Sequence, residues 1–204
     1  GFDDSRHILP ELITNYHAIK NKKNLVVNGQ IQLFNQVAQR LTEVRQEQKD
    51  TVESRCEKAV DLACTHVHSV YWTNFNDEAN LIEELDPYAF QISGSMSLDK
   101  KEDLLLNFFQ GNIKKLVTKP KITAFGLNWQ HCNHTVFFPT FSYEQYYQSI
   151  RRFWRFGQQR EVTVDIVYSD GQKKVLDSLI AKTKKANELF DKLNANLNQS
   201  FEIK

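Results

Sequence analysis

Apolar positions along the chain follow two different grains. Up to about residue 67 they recur at helical spacing: Gln30–Gln48 carries Ile31, Phe34, Val37, Ala38, Leu41 and Val44, and beyond Asp50-Thr51 a second helix carries Val52, Cys56, Ala59, Val60 and Ala63 on one side. Ahead of these, Asn28-Gly29 reads as a turn and Arg6–Lys23 as a polar lead-in with a basic run at Lys20, Lys22 and Lys23. After His68 short apolar runs alternate with helical stretches, the pattern of a parallel sheet built from β-α units. Strands are predicted at Ser69–Thr73, Ala89–Ser93, Lys115–Thr118, Thr135–Phe138 and Val162–Tyr168. Helices are predicted at Asp77–Leu85, Leu98–Phe109 and Ser142–Trp154, with a short helical turn near Gly126–His131. From Gln172 to about Leu197 the positions Val175, Leu176, Leu179, Ile180, Ala186, Leu189, Phe190 and Leu193 make a long amphipathic closing helix, which could break near Lys182–Lys185. The expected fold is therefore α/β: a parallel sheet flanked by helices, with an N-terminal helical extension and a long C-terminal helix. Residues 1–48 read as lead-in and helix, and 49–204 as the sheet domain with its closing helix.

Composition narrows the class. With 41% hydrophobic and 25% charged residues in 204, the chain suits one sizeable globular domain plus an extension. A net charge of +1 argues against binding nucleic acid by bulk charge, so any such contact must come from a local patch. No apolar run approaches the roughly 20 residues of a membrane helix and no signal peptide is visible, so no membrane partner and a cytoplasmic setting are expected. Three cysteines without a paired framework fit a reducing compartment. The opening residue is Gly1, which suggests a processed product or an excised piece.

The stretch with the most chemistry runs from Gln148 to Gln158. On a helix, at about 100° per residue, Gln148, Arg152 and Arg155 fall within roughly 60° of one another, opposite Tyr143, Tyr146, Tyr147, Ile150, Phe153 and Trp154. One face is core and the other is guanidinium, whose rigid fork suits phosphate oxygens. From the helix alone, a solvated basic face on a core helix is an equal alternative.

The spacing Gln-x-x-x-Arg-x-x-Arg-x-Gly-Gln resembles the sixth motif of superfamily-two helicases, and is most similar to that of the Snf-type ATPases. Gln148, Arg152, Arg155, Gly157 and Gln158 fall in step with it. Upstream, Leu116 to Trp129 resembles the fifth motif, which closes on Gly-x-Asn-apolar at Gly126-Leu127-Asn128-Trp129. The resemblance is to the second RecA-like lobe and covers about His68 to Tyr168. The run from Gly126 to Cys132, followed by Ser142-Tyr143-Glu144-Gln145, resembles the phage and prophage branch, implying a bacterial or phage-infected cell. What the resemblance implies is a RecA-like lobe of an ATP-dependent nucleic-acid helicase or translocase, with DNA as the expected partner. Arg152 and Arg155 would act as arginine fingers and Gln148 would orient them. Gly126, Asn128 and Gln158 would lie near the nucleotide. ATP and magnesium would be bound mainly by an N-terminal RecA-like lobe of the same protein.

Several features bear on that expectation. A phosphate loop needs glycines followed by Lys and Ser/Thr, and none of the seven glycines here is followed by Lys-Ser or Lys-Thr. The nearest match to an acidic magnesium box, Asp77-Glu78-Ala79-Asn80, reads instead as a helix start. This chain alone is thus expected to be inactive, while the full-length protein would hydrolyse ATP. Ser93-Gly94-Ser95 ends a predicted strand, where its N–H groups could hold a nucleic-acid phosphate or simply form a turn. Lys114, Lys115, Lys119 and Lys121 form a basic cluster, of which Lys119 and Lys121 lie in the motif that faces nucleic acid in the family. Cys64-x-His66-x-His68 and His131-Cys132-x-His134 suggest zinc, but their spacing is not that of a structural finger, and no metal site is expected. The chain also departs from the Snf-type pattern: Lys119-Pro120-Lys121 replaces a Ser-Thr pair, Trp154 stands where His is common, and Phe141-Ser142 where Trp-Asn is common. A rival reading is a non-enzymatic nucleic-acid-binding or protein-docking module that kept the lobe.

Overall fold

A computed structural model of the chain describes residues 9–21, 41–122 and 128–201, with side chains for all of these except 41–44, 191 and 193–201. The turn expected at Asn28-Gly29, the first part of the Gln30–Gln48 helix, and Gly126 lie outside the described residues. Six strands, β1 Leu12–Ile19, β2 Ser69–Trp72, β3 Ala89–Gln91, β4 Lys115–Thr118, β5 His134–Phe137 and β6 Val162–Ser169, form one sheet in the order β1-β6-β5-β2-β4-β3. Every pairing is parallel. The helices are α1 Leu41–Asp50, α2 Val52–Cys64, α3 Asn76–Leu85, α4 Leu98–Phe109, α5 Tyr143–Ile150 and α6 Lys173–Phe201. This is a RecA-like fold.

Both faces of the sheet are covered, as parallel strands require. All four residues of β2, β4 and β5 are buried, which is why these segments show apolar runs instead of strict alternation. On one face Val70, Trp72, Leu116, Phe137, Val164 and Ile166 pack with Phe108 of α4, Ile150 of α5 and Leu176 and Leu179 of α6. On the other, Tyr71, Val117, Val136 and Val167 lie under Cys56, Ala59 and Ala63 of α2 and Ala79 and Ile82 of α3.

That second face also carries a buried polar chain across four adjacent strands. Asp165 on β6 accepts from Asn15 Nδ2 at 3.0 Å and contacts His17 Nε2 at 2.8 Å, both on β1. Its other oxygen meets His134 Nε2 on β5 at 2.8 Å, and His134 Nδ1 meets Ser69 Oγ on β2 at 2.8 Å. His134 and Ser69 are fully buried. These hydrogen bonds hold the Asp165 carboxyl well below the usual carboxylate range, against the opposing effect of burial. Two more buried pairs complete the face. Arg55 Nη1 lies 2.6 Å from Glu78 Oε1, and the other Glu78 oxygen accepts the N–H groups of Asn74 and Phe75 at the start of α3. Lys115 Nζ lies 2.9 Å from Asp86, which also accepts the Tyr71 hydroxyl at 2.6 Å. Glu78 thus has a structural role, and the Asp77–Asn80 stretch is part of a helix.

The structure corrects the sequence reading in three places. Within the stretch read as polar lead-in, Leu12–Ile19 is an eight-residue strand at the sheet edge, in register with Val162–Ser169. Its alternation was masked because Asn15 and His17 point inward to Asp165. The helix expected over Ser142–Trp154 ends at Ile150, and residues 151–157 are turns closed by Gly157 at φ 90°. The closing helix is continuous through Lys182–Lys185. Its entry is fixed by the 3-10 turn Asp170–Gln172, where Gly171 N–H donates to Glu47 Oε1 at 2.6 Å; a Cβ on Gly171 would sit 1.6 Å from Glu47 Oε2.

Removing one partner from a buried, hydrogen-bonded charge network costs about 3–5 kcal/mol. Asp165→Ala should therefore lower the free energy of unfolding by that amount in chemical denaturation, with Asp165→Asn milder because an amide still accepts from Asn15. A loss below about 1 kcal/mol in Asp165→Ala would show that the four strands do not depend on this carboxylate.

Candidate functional site

The expected site residues fall at two ends of the sheet. At the C-terminal edge, Ser93-Gly94-Ser95 follows β3 and Lys119 follows β4, its neighbour. Gly94 and Ser95 are exposed, and a Cβ on Gly94 would meet nothing within 4 Å. Lys101 Nζ donates to Gly94 O at 2.9 Å, and Lys119 Nζ to Asn76 Oδ1 at 2.6 Å. Lys121 is exposed beside them. The four-lysine cluster is thereby split. Lys114 and Lys115 stand at the opposite end of β4, about 13 Å away along four residues, and Lys115 is buried in its ion pair with Asp86.

Toward the N-terminal edge, the turn after α5 meets the segment leading into β5. Trp129 N–H donates to Arg152 O at 2.9 Å, and the Arg152 guanidinium lies 5.3 Å from the centre of the Trp129 ring. Burial draws Arg152 below its ordinary value, though a guanidinium stays charged. Arg155 Nη1 donates to Asn128 Oδ1, so the asparagine of one motif and the second arginine of the other are in direct contact. Gln158 is buried and spends its amide on Gln130 O and Cys132 O, at 2.9 and 3.1 Å, which ties the two segments together. Gly157 sits in the left-handed region, where a Cβ would approach Gln130 Nε2 to 2.9 Å. Gln148, still on α5, donates to Glu144 Oε1 at 3.1 Å on the exposed face. The structure therefore brings together Arg152, Arg155, Asn128 and the unanticipated Trp129, while Gln148 pairs within its own helix. The arginines converge through a turn and not through a shared helical face.

The Arg155 Nε is buried without a hydrogen-bond partner among the described residues. Two guanidinium groups next to a side-chain amide are a donor set whose forks suit the phosphate oxygens of a nucleotide.

The histidines proposed as zinc candidates form two ring pairs instead. His66 stacks on His134 with centroids 3.7 Å apart and planes 3° from parallel, and His68 meets His131 edge-on at 5.2 Å. Cys132 is buried, donates to His134 O, and has its thiol pushed up to about 12 by burial, the reverse of what a thiolate ligand needs. Among the described residues no three His, Cys, Asp or Glu side chains converge as metal ligands.

Residues 64–157 match the family model of the helicase conserved C-terminal domain. No curated protein sequence matches the chain. Among solved structures, the C-terminal part of the Fun30 ATPase domain superposes with a TM-score of 0.52 at 17% identity over 69% of this chain and 48% of that one. The E. coli DEAD-box protein SrmB, solved bound to the regulator of ribonuclease activity A, gives 0.52 at 18% identity over 63% of this chain and 78% of that one. The chain thus spans about half the length of the Fun30 structure it matches. At these identities the structures establish the fold, and the domain match likens residues 64–157 to the helicase conserved C-terminal domain. Among the described residues no helix is long and apolar enough to cross a membrane.

Burial lowers the proton affinity of His66, His68 and His131, the last to about 4. Between these values and the ordinary 6.5 the unfolded chain binds more protons than the folded one, so stability falls as pH drops below about 6.5, and levels off for His131 near 4. Asp165 acts in the same direction only at lower pH, its contribution being lost once acid reaches and passes below the ordinary carboxylate range. Denaturant midpoints should accordingly decline from pH 7.5 to 4.5, and His131→Gln should flatten that decline whatever it does to the midpoint at pH 7.5. An unchanged slope in His131→Gln would remove this residue from the acid response.

Proposed function

We propose that the chain is the second RecA-like lobe of an ATP-dependent nucleic-acid helicase or translocase, with DNA as the substrate and a Snf-type, phage-encoded relative as the finer assignment. The observation that carries this reading is the contact between Arg155 and Asn128, with Arg152 held against Trp129 one turn away. It joins the two stretches that resemble consecutive helicase motifs, and it presents two guanidiniums on a backbone turn fixed by Gly157 and Gln158. ATP, held with magnesium mainly by a first lobe, would supply the phosphoanhydride bond that is broken. Arg152 and Arg155 would stabilise charge as it develops on phosphate oxygens, and Asn128 would set the direction of the Arg155 fork. Gly126 would lie nearby, and Gln158 would act indirectly, through the backbone it ties down. At the other edge, Lys119, Lys121 and the Ser93-Gly94-Ser95 turn would face strand phosphates. SrmB and Fun30 are consistent with this assignment, as a DEAD-box protein and an ATPase domain.

The test uses a protein with both lobes. An arginine finger in related phosphoryl-transfer systems is worth on the order of 10³–10⁵ in rate. Arg152→Lys or Arg155→Lys should cut ATP turnover at least about a hundredfold in steady-state assays while leaving ATP affinity within a few-fold, since lysine keeps charge but loses the fork. Normal turnover in both variants would sink the reading. Separately, charge-removing changes at Lys119 and Lys121 should weaken DNA binding evenly across sequences and make log affinity less steep against log salt by about one per lost phosphate contact. Unchanged affinity and slope would relegate both lysines to solvated surface.

A further inference from the structure

Between β1, α5 and the middle of α6 lies a cavity of about 440 Å³ that the site described above does not use. Its volume is that of a small-ligand pocket. Ile150, Ile166 and Leu179, all nearly fully buried, form part of its lining. Aromatic rings make much of the rest: Tyr143, Tyr147 and Trp154 are half-buried, and Tyr16 on the edge strand is 48% exposed. Leu12 and Ile180 complete the apolar lining. The rings are fixed in orientation. Trp154 Nε1 donates to Pro10 O at 2.7 Å, and Tyr143 and Tyr147 lie 5.7 Å apart at a 32° tilt. Cations flank them, with the Arg151 guanidinium 5.7 Å from the Trp154 ring and 6.0 Å from the Tyr147 ring, and Lys184 on α6. Asn187 and Glu188 add amide and carboxylate groups able to pair with the edge of a flat heterocycle. Oriented rings with adjacent cations are the means by which proteins hold unpaired bases.

We propose that this cavity binds a nucleobase, stacked among Tyr143, Tyr147 and Trp154, with its phosphate toward Arg151 and Lys184. The proposal rests on the nucleotide and nucleic-acid reading above. The base could belong to a free nucleotide or to a single strand. Trp154 occupies the same short turn as Arg152 and Arg155, so an occupied pocket would bias the position of the arginines from behind.

The experiment titrates the full chain with a 5′-mononucleotide and, separately, with a single-stranded oligonucleotide carrying 5-iodouracil. Tryptophan fluorescence is followed against a Trp154→Phe control, and photocrosslinks are mapped by mass spectrometry. Quenching that disappears in Trp154→Phe is expected, as are crosslinks at Tyr143, Tyr147 or Trp154. A mononucleotide that quenches as well as the oligonucleotide identifies the free nucleotide as the source; a response to the oligonucleotide alone identifies the strand. The double variant Tyr143→Ala/Tyr147→Ala should weaken affinity about tenfold without altering the salt dependence, and Tyr143→Phe/Tyr147→Phe should restore it. Salt-dependent oligonucleotide binding with no quenching, no crosslink and no effect of the alanine pair overturns the pocket and leaves the nucleic-acid reading intact. A mononucleotide response without any oligonucleotide binding keeps the pocket and overturns the nucleic-acid reading. Quenching that follows protein concentration with no nucleotide present means that a second copy fills the cavity, and overturns the proposal.

Discussion

The Asp165 carboxylate is the interaction on which the rest of the sheet depends. A parallel sheet with β1 added next to β6 has only backbone hydrogen bonds and one apolar face to hold its edge. Here a buried charge supplies the missing specificity, because it is satisfied only when Asn15 and His17 arrive in the register that pairs Asn15 with Asp165. A slip of one residue would turn those side chains to the other face and leave the Asp165 oxygen they share without its partners, with only His134 still bound to the other oxygen. The same carboxylate reaches His134 and through it Ser69, so one group fixes β1, β6, β5 and β2 relative to one another.

From this follows the placement of the candidate site. With β5 and β6 fixed, the segment 128–133 and the turn 151–160 are brought together at the N-terminal edge, where Gln158, Gly157 and the Trp129–Arg152 hydrogen bond lock them. The arginines are delivered by this joint, and the approach of Arg155 to Asn128 depends on backbone carbonyls as much as on the motif residues.

The core of the fold was readable in the sequence because its physics is local. β2, β4 and β5 show as short apolar runs, and α3, α4 and α6 as periodic ones, within a residue or two of their ends except at the C-terminus of α6, which runs on to Phe201 past the expected Leu197. What escaped detection depended on partners far along the chain. β1 looked polar because Asn15 and His17 are matched by a residue 150 and 148 positions away, respectively. The first part of the turn, residues 151–154, was read as helix since every residue from Gln148 to Trp154 tolerates one, and only Gly157, with its positive φ, marks the change. The basic run Lys114–Lys121 looked like one patch because sequence distance hides that a strand lies between its halves. Trp129, beneath Arg152, has no signal beyond its place after Asn128.

The two groups of candidate residues stand at opposite edges of a sheet only four residues deep at its centre. Those central strands carry no bulge or glycine, and a buried ion cross-braces four of the six. Such a plate has no soft hinge along the strand direction. The two edges therefore hold a fixed separation across the strands, and any change in their relative position must arise in the turns that carry the arginines and the loops that carry the lysines.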